Sequence, residues 1–177
     1  SLASNAKKYV EEARMQVAAL LGCHTDEVIF TSGATESNNM IIKGVAEYYG
    51  SNNQHIITSK VEHPSVLETF KYLETKGFTV TYLDVDRLGR VNVEEIKKFI
   101  IDSPPLLISI MWGNNELGSL NDIERIAELC AENDIFFHTD ATQVVGKIKL
   151  TFFEGIRFLS CSAHKFHGPK GIGVAVI

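Results

Sequence analysis

The sequence predicts an α/β protein in which helices cover both faces of a mainly parallel central sheet. Short runs rich in β-branched and aromatic residues alternate along the 177-residue chain with longer helical patterns, as in proteins built from βαβ units. One such run, residues 106–111, is apolar almost throughout, which is typical of a strand buried on both faces. The sequence contains no internal repeat, low-complexity tract or linker. We therefore expect a three-layer α/β/α arrangement that forms a single domain over residues 1–177.

Helices are predicted where apolar residues recur at intervals of three and four, and strands where short β-rich runs lie between them. The predicted helices are residues 5–21, a segment opening at residues 32–36, a segment beginning near Pro64, residues 93–101, and a segment capped by Asn121 or Asp122 that runs to Ala131. The predicted strands are residues 27–31, 55–58, 78–83, 106–111, 135–138, 158–160 and 173–177. Ligands of such sheets bind beyond the carboxyl ends of the strands, so the candidate site is expected at that edge.

Composition and charge exclude several classes of protein. The 17 basic and 22 acidic residues give a net charge of −5, which provides no basic surface for nucleic acid. The longest apolar run is far too short to span a membrane. The sequence has no CxxC pair and an odd number of cysteines, which predicts neither disulfides nor a zinc knuckle. We expect reduced, buried thiols in a cytoplasmic protein, at Cys23, Cys130 and Cys161.

Polar segments follow four of the predicted strands, and a fifth lies between the last two strands. The first, residues 31–39, leaves a strand and opens a helix, so its backbone N–H groups and the helix dipole favour an anion such as phosphate. The alternative is an ordinary capped helix with a glycine turn. In the second, residues 61–66, His63 lies at the start of a helix, where it can stack on a planar ring or move protons near neutral pH. The alternative is a simple N-terminal cap.

The third segment, residues 112–118, places two asparagines and a glutamate after an apolar strand, either in a cleft or in an ordinary turn. In the fourth, residues 138–143, Asp140 closes an apolar strand, and its partial burial requires a cationic partner such as a protonated ring nitrogen. Gln143 is then free to bond a neighbouring ring substituent. A metal site at His138 and Asp140 is disfavoured, because no further ligands follow at a useful spacing.

The fifth segment, residues 160–171, carries Lys165 between His164 and His167, just before a Gly-Pro turn. A zinc site at the two histidines is disfavoured. A solvated loop is the commonest place for a lysine, whereas desolvation in a cleft lowers the pKa of the amine and makes it a nucleophile for a carbonyl group. Together the five segments supply an anion cradle, a ring stacker, an acid for a ring nitrogen, a polar clamp and a reactive lysine. Pyridoxal 5′-phosphate needs this set of groups.

Five sequence runs carry a resemblance to a known family. SGATESNN, VEHPSV, NNELG, HTDATQ and SAHKFHGPKGIG occur in this order and strongly resemble the cysteine desulfurase and selenocysteine lyase family. That family belongs to the class-V aminotransferase branch of fold-type I pyridoxal-phosphate enzymes, and the resemblance covers nearly the whole chain. It implies that residues 1–177 are the cofactor-binding large domain of a homodimeric enzyme, truncated at both ends and without the C-terminal small domain. The KFHGPKG form is closer to the desulfurases that supply sulfur for iron–sulfur clusters.

The resemblance also implies a role for each candidate residue. Lys165 would hold the cofactor aldehyde covalently, and His63 would stack on the ring and assist proton transfer. Asp140 would pair with the pyridinium nitrogen. The phenolic oxygen would be bonded by Gln143 and Asn115, and the phosphate by Ala34, Thr35, Ser162 and His164. No metal site is implied.

The implied reaction converts L-cysteine to L-alanine and passes the sulfur to an enzyme cysteine as a persulfide, for a sulfur-acceptor or iron–sulfur scaffold protein. In the family that cysteine and a carboxylate-binding arginine lie beyond the large domain. None of the three cysteines of this chain is therefore expected to carry the persulfide, and the fragment alone is expected to have little activity. Two alternatives stay open: a selenocysteine lyase or other class-V aminotransferase, and a non-catalytic scaffold that has kept the fold.

Overall fold

A computed structural model describes residues 2–114, 116–163, 168 and 170–177 of the protein. Its helices are α1 (Leu2–Leu21), α2 (Ala34–Tyr49), α3 (Pro64–Thr75), α4 (Val93–Asp102) and α5 (Ile123–Glu132). Its strands are β1 (Val28–Thr31), β2 (His55–Ser59), β3 (Thr79–Leu83), β4 (Leu107–Ser109), β5 (Gly113–Asn114), β6 (Ser119–Leu120), β7 (Phe136–Asp140), β8 (Phe158–Ser162) and β9 (Gly173–Val176). Each predicted helix and strand is present, with bounds that shift by a few residues.

Seven of these strands form the central sheet, in the order β1–β9–β8–β7–β4–β2–β3. The strands from β8 to β3 are parallel to one another, whereas β9 runs antiparallel to both β8 and β1. The prediction of a mainly parallel sheet is therefore confirmed. Because β1 again points the same way as β8, the carboxyl ends of β1, β2, β4, β7 and β8 meet at one edge of the sheet.

Helices cover both faces of the sheet, as the sequence predicts. On one face α2 and α3 pack over a core cluster that includes Phe70 and Leu107. On the other face α1, α4 and α5 cover a larger cluster that includes Ile96, Ile108 and Ile126. Leu107 and Ile108 are neighbours on β4, and both are fully buried. Since successive side chains of a strand point to opposite faces, this strand contributes to a core on each side, and the three-layer α/β/α arrangement is confirmed.

The predicted helix starts are confirmed where the sequence carries a specific signal. Pro64 occupies the first position of α3. Asp122 rather than Asn121 caps α5, because its side chain accepts the backbone N–H of Arg125 at 3.2 Å. Across the described part of the chain, none of the helices combines the length and the apolar character that a membrane span requires.

The strand predicted at residues 106–111 is shorter in the structure, in which β4 covers only Leu107–Ser109. The neighbouring strand β2 ends only one residue beyond the residue that pairs with the end of β4. Among the described strands, the residues directly after β4 therefore have a partner only on the β7 side. On the open side the backbone N–H of Met111 donates to the carboxyl group of Glu62 at 2.9 Å. The carboxyl group of Glu62 thus accepts a hydrogen bond that a neighbouring strand would otherwise accept. The polar segment that follows forms the small β5–β6 hairpin, which the sequence did not predict.

Candidate active site

A cavity of about 700 Å³ opens at the edge of the sheet where the parallel strands end. The loops after β2, β4 and β7, the start of α2 and the end of β8 contribute to its wall. From the predicted set it is lined by Ala34, Thr35, His63, Asp140, Gln143 and Ser162. The fold therefore brings together residues that are far apart in the sequence. The other predicted residues, Asn115, His164 and Lys165, lie outside the described residues.

Asp140 is the last residue of β7 and lies in the cavity wall with 7% of its surface exposed. Its Oδ1 accepts the backbone N–H of Thr142 at 3.0 Å, and its Oδ2 accepts the side-chain amide of Asn38 at 2.9 Å. None of the ion pairs among the described residues involves this carboxylate. Both oxygens thus accept N–H groups, but a buried carboxylate without an opposing charge still costs free energy. The arrangement thus favours a cationic group in the cavity.

Asn38, in the second turn of α2, is fully buried and joins Asp140 to two further polar side chains. Its Nδ2 also donates to the hydroxyl of Ser65 at 3.0 Å, and its Oδ1 accepts the hydroxyl of Ser160. Ser65 in turn contacts Nδ1 of His63 at 2.8 Å. One buried amide therefore links Asp140, through Ser65, to His63, and both of these candidate residues line the cavity.

Sequence reasoning missed Asn38, although a signal was present. The buried face of α2 follows helical spacing through Ala34, Ile41, Ile42 and Val45, and Asn38 lies on the same stripe. A polar residue on an apolar stripe must find hydrogen-bond partners inside the protein, because burial without them costs free energy. Asparagine in this stripe was therefore a candidate for a buried polar network.

The polar network continues to His138, and the acceptor on Asn38 sets the direction of each bond. Because Oδ1 of Asn38 can only accept, Ser160 donates to it and accepts from Nε2 of His138 at 2.9 Å. Nδ1 of His138 then accepts the hydroxyl of Ser109 at 2.7 Å. Burial lowers the pKa of His138 to about 4, against the opposing effect of Asp140, so the ring is neutral at pH 7. Both ring nitrogens are engaged by serines, which leaves neither for the metal ligand considered above.

Removing the amide of Asn38 is expected to destabilise the protein strongly. Asn38→Ala removes one hydrogen-bond partner from each of three buried groups, on Asp140, Ser65 and Ser160. We expect the free energy of unfolding to fall by about 2–4 kcal/mol. Urea denaturation measures the change. Asn53→Ala is the control: Asn53 makes two side-chain hydrogen bonds, against three for Asn38, in a less buried position at the opposite edge of the sheet. A loss for Asn38→Ala no larger than that of the control would contradict the network.

His63 combines both interpretations that the sequence left open. It caps α3, since its Nδ1 accepts the backbone N–H of Ser65 at 3.1 Å. It also lines the cavity. Because Nδ1 is an acceptor in this geometry, the neutral ring carries its proton on Nε2. That nitrogen is the one that the capping interaction leaves for a ligand.

The start of α2 forms one end of the cavity and suits an anion. Gly33 is the N-cap residue and has no side chain to accept the N–H groups of the first helical turn. The N–H of Ala34 donates to the hydroxyl of Ser162 at 2.8 Å, which holds the end of β8 against the helix start. Position 173, which packs against Gly33, requires glycine, because a Cβ on Gly173 would lie 2.4 Å from the Cα of Gly33. A second cavity of about 550 Å³ adjoins this end and includes Lys170 in its wall.

The loop after β7 supplies further polar groups. Gln143 is half-buried, and its Oε1 lies 3.5 Å from Nζ of Lys147. The hydroxyl of Thr142 is buried and has no hydrogen-bond partner among the described residues. A buried hydroxyl without a partner costs free energy, and Thr142 is one of the residues that line the cavity.

The three thiols differ in burial. Cys130 and Cys161 are buried, as predicted, and burial raises the pKa of each to about 12. Cys23 is only partly buried, so the prediction of a buried thiol was wrong for this residue, which lies in the connection after α1 and packs against the larger core cluster. Partial burial and the nearby charge of Glu27 still raise the pKa of Cys23 to about 11. Thiols with such pKa values keep their protons at neutral pH and are weak nucleophiles.

Comparison with known proteins places this site in a family. The family model described as aminotransferase class-V matches residues 1–177. The chain belongs to the class-V aminotransferase family. Among curated relatives of this family member, cysteine desulfurase IscS of Dictyoglomus turgidum is 52% identical over 169 residues, which cover 95% of this chain and 43% of the relative.

Solved structures give the same result for this class-V aminotransferase. A NifS-like protein is similar with a TM-score of 0.94 and 42% identity, over 100% of this chain and 49% of that one. A structure described as SspA in complex with cysteine has a TM-score of 0.92 and 40% identity, over 99% of this chain and 50% of that one. The family predicted from the sequence is confirmed. The chain spans about half the length, or less, of these relatives.

Proposed function

We propose that the protein containing this chain is a pyridoxal 5′-phosphate-dependent cysteine desulfurase, in which residues 1–177 form the cofactor-binding domain. The observation that carries the proposal is Asp140, a buried carboxylate in the cavity wall that pairs with no cation among the described residues. A protonated ring nitrogen is such a cation. The similarity to cysteine desulfurases supports the choice of reaction.

The described residues fit this cofactor. A cavity of about 700 Å³ lies within the size range of sites for small ligands. The start of α2 offers Ala34, Thr35 and the adjacent Ser162 to a phosphate group, and Asp140 offers a negative charge to the ring nitrogen. The residues proposed to hold the cofactor are those implied by the sequence resemblance: Ala34, Thr35, His63, Asn115, Asp140, Gln143, Ser162, His164 and Lys165.

Each of these side chains has a defined chemical task. When bound, pyridoxal 5′-phosphate accepts the electrons that are released at the α-carbon of the substrate. Asp140 would keep a proton on the ring nitrogen, and Asn38 holds Asp140 in position. His63 carries a proton on Nε2 and contributes to proton transfer. The amine of Lys165 would hold the cofactor and would take the α-proton of the substrate.

The proposed substrate is L-cysteine, and the proposed product is L-alanine. A similar solved structure is described as a complex with cysteine, which supports this choice. The raised pKa values of Cys23, Cys130 and Cys161 support a sulfur-accepting cysteine outside this chain. From that cysteine the sulfur would pass to an acceptor or iron–sulfur scaffold protein. A cytoplasmic homodimer is part of the same proposal.

Turnover of the protein expressed from its complete gene tests the proposal. With pyridoxal 5′-phosphate we expect a yellow protein that releases alanine from L-cysteine and, with a thiol reductant to discharge the persulfide, sulfide. The same preparation is assayed with L-selenocysteine, and with alanine and glyoxylate. Turnover confined to selenocysteine, or to amino transfer, would replace the desulfurase with that alternative. A colourless, inactive protein would favour a scaffold that has lost catalysis.

A further inference from the structure

Glu62 is a buried carboxyl group beside the cavity to which no task has been assigned above. It precedes His63 in the loop between β2 and α3, and 4% of its surface is exposed. Its Oε1 accepts the backbone N–H of Met111 at 2.9 Å and the hydroxyl of Ser59 at 2.7 Å. Its Oε2 is buried and has no hydrogen-bond partner within the described residues, although Glu62 lines the cavity.

No charged group among the residues that the structure describes neutralises this carboxyl group. Lys60, in the same loop, pairs with Asp84 at the surface with an N–O distance of 2.6 Å. His63 is turned toward the start of α3, where Nδ1 acts as a cap. The other charged groups in the described cavity wall are Asp140, which is buried, and Glu116, which is exposed. Both are acidic, so neither favours a second negative charge.

The position of Glu62 is fixed by the end of β4. Beyond β4 the backbone has no strand partner on the β2 side, and a buried N–H group must still be satisfied. Glu62 provides the acceptor for Met111 and thereby ties the loop that carries His63 to the segment that leads into β5. A neutral carboxyl group can still meet this need, because its carbonyl oxygen accepts the bond.

We propose that Glu62 is a positioning residue that keeps its proton in the working protein and joins the His63 loop to the end of β4. Asp140 then remains the only buried anion of the described cavity wall, and no second carboxylate competes with it for a cation. Burial raises the pKa of Glu62 to about 8, and the charge of Asp140 adds to this effect, while the bonds from Met111 and Ser59 oppose it. The benefit to the ring nitrogen rests on the proposed function, whereas the protonation of Glu62 does not.

The proton of Glu62 has a measurable effect on stability. The pKa of the carboxyl group rises from its usual 4.5 to about 8 on folding, so the folded state binds more protons in this range. Its contribution to stability is fully present below about pH 4.5 and is lost as the pH rises through 8. Wild-type protein should therefore lose stability with rising pH relative to a variant that has no titrating group at this position.

Glu62→Gln is that variant, because the amide keeps the shape and the acceptor oxygen but does not ionise. Thermal unfolding of the variant and of the wild type is measured without added cofactor from pH 5 to pH 8. We expect the Tm of the variant minus the Tm of the wild type to increase by roughly 5 °C between these two pH values. Glu68→Gln, on an exposed residue paired with Lys71, is the control and should show a constant difference. A constant difference for Glu62→Gln would overturn the proposal.

Infrared spectroscopy of the wild-type protein is a second measurement, which is independent of whether the variant folds. A protonated-carboxyl band at pH 6 should fade as the pH is raised through 8, and a spectrum that shows no such band at pH 6 would overturn the proposal.

Cofactor binding by two variants is a third measurement. Glu62→Gln should bind the cofactor within about threefold of wild type, whereas Glu62→Ala leaves the N–H of Met111 unpaired and should bind it about tenfold more weakly. Equal weakening by both variants would contradict a neutral positioning role. Failure of the wild type to bind cofactor would count against the proposed function alone.

Discussion

Lys165→Ala is expected to abolish both the yellow colour of the protein with pyridoxal 5′-phosphate and its turnover of L-cysteine. Lys165 lies in the sequence between β8, which ends at Ser162 in the cavity wall, and β9, which begins at Gly173 beside the start of α2. Both ends of this connection therefore lie at the edge that holds Asp140. Alanine has no amine to attack a carbonyl group, so we expect activity to fall by at least roughly a thousandfold.

Absorbance spectroscopy and an alanine-release assay on the complete protein measure these losses. Lys71→Ala is the matched control, because Lys71 is an exposed lysine in a surface ion pair with Glu68. Such pairs contribute little, so the control should keep its colour and its activity within about twofold. Retention of colour and turnover by Lys165→Ala would assign the reactive amine to another residue.

The layers of the fold could be predicted because they depend on local pattern. The strand at β4 is apolar in consecutive positions, and both Leu107 and Ile108 are fully buried in the structure. The end of the same strand could not be predicted, because it depends on where β2 stops and not on its own sequence. The β5–β6 hairpin could not be predicted either, because strands of two residues are too short to show a periodic pattern.

Only those residues of the candidate site whose position follows from the strand topology could be predicted. Asp140 and His63 follow predicted strands directly, so their place at the carboxyl edge follows from the topology. The roles of Asn38 and Glu62 could not be predicted in this way, because their hydrogen-bond partners are distant in the sequence. Asn38 bonds a residue 102 positions away, and Glu62 bonds one 49 positions away. A glutamate before a helix start is usually solvated, and only the neighbouring strand end makes this one a buried group.

Asp140→Asn is expected to weaken binding of pyridoxal 5′-phosphate by roughly 10²–10³-fold, through two effects that act together. The first is the loss of the negative charge that would face the ring nitrogen. The second is internal, because both oxygens of Asp140 accept N–H groups, from Thr142 and from Asn38. An amide has only one oxygen, so its NH₂ group must face one of these donors. Asn38 cannot turn to compensate without losing the bond from Ser160.

Equilibrium titration followed by absorbance measures this affinity, with Asp122→Asn as the control. Asp122 caps α5 away from the cavity, and asparagine caps a helix about as well as aspartate, so the control should bind cofactor like the wild type. If Asp140→Asn bound within about threefold of wild type, the carboxylate would face no cationic group in the complex. The similarity to cysteine desulfurases would then remain a statement about ancestry and fold, since the charge on which the proposed chemistry depends would have no partner.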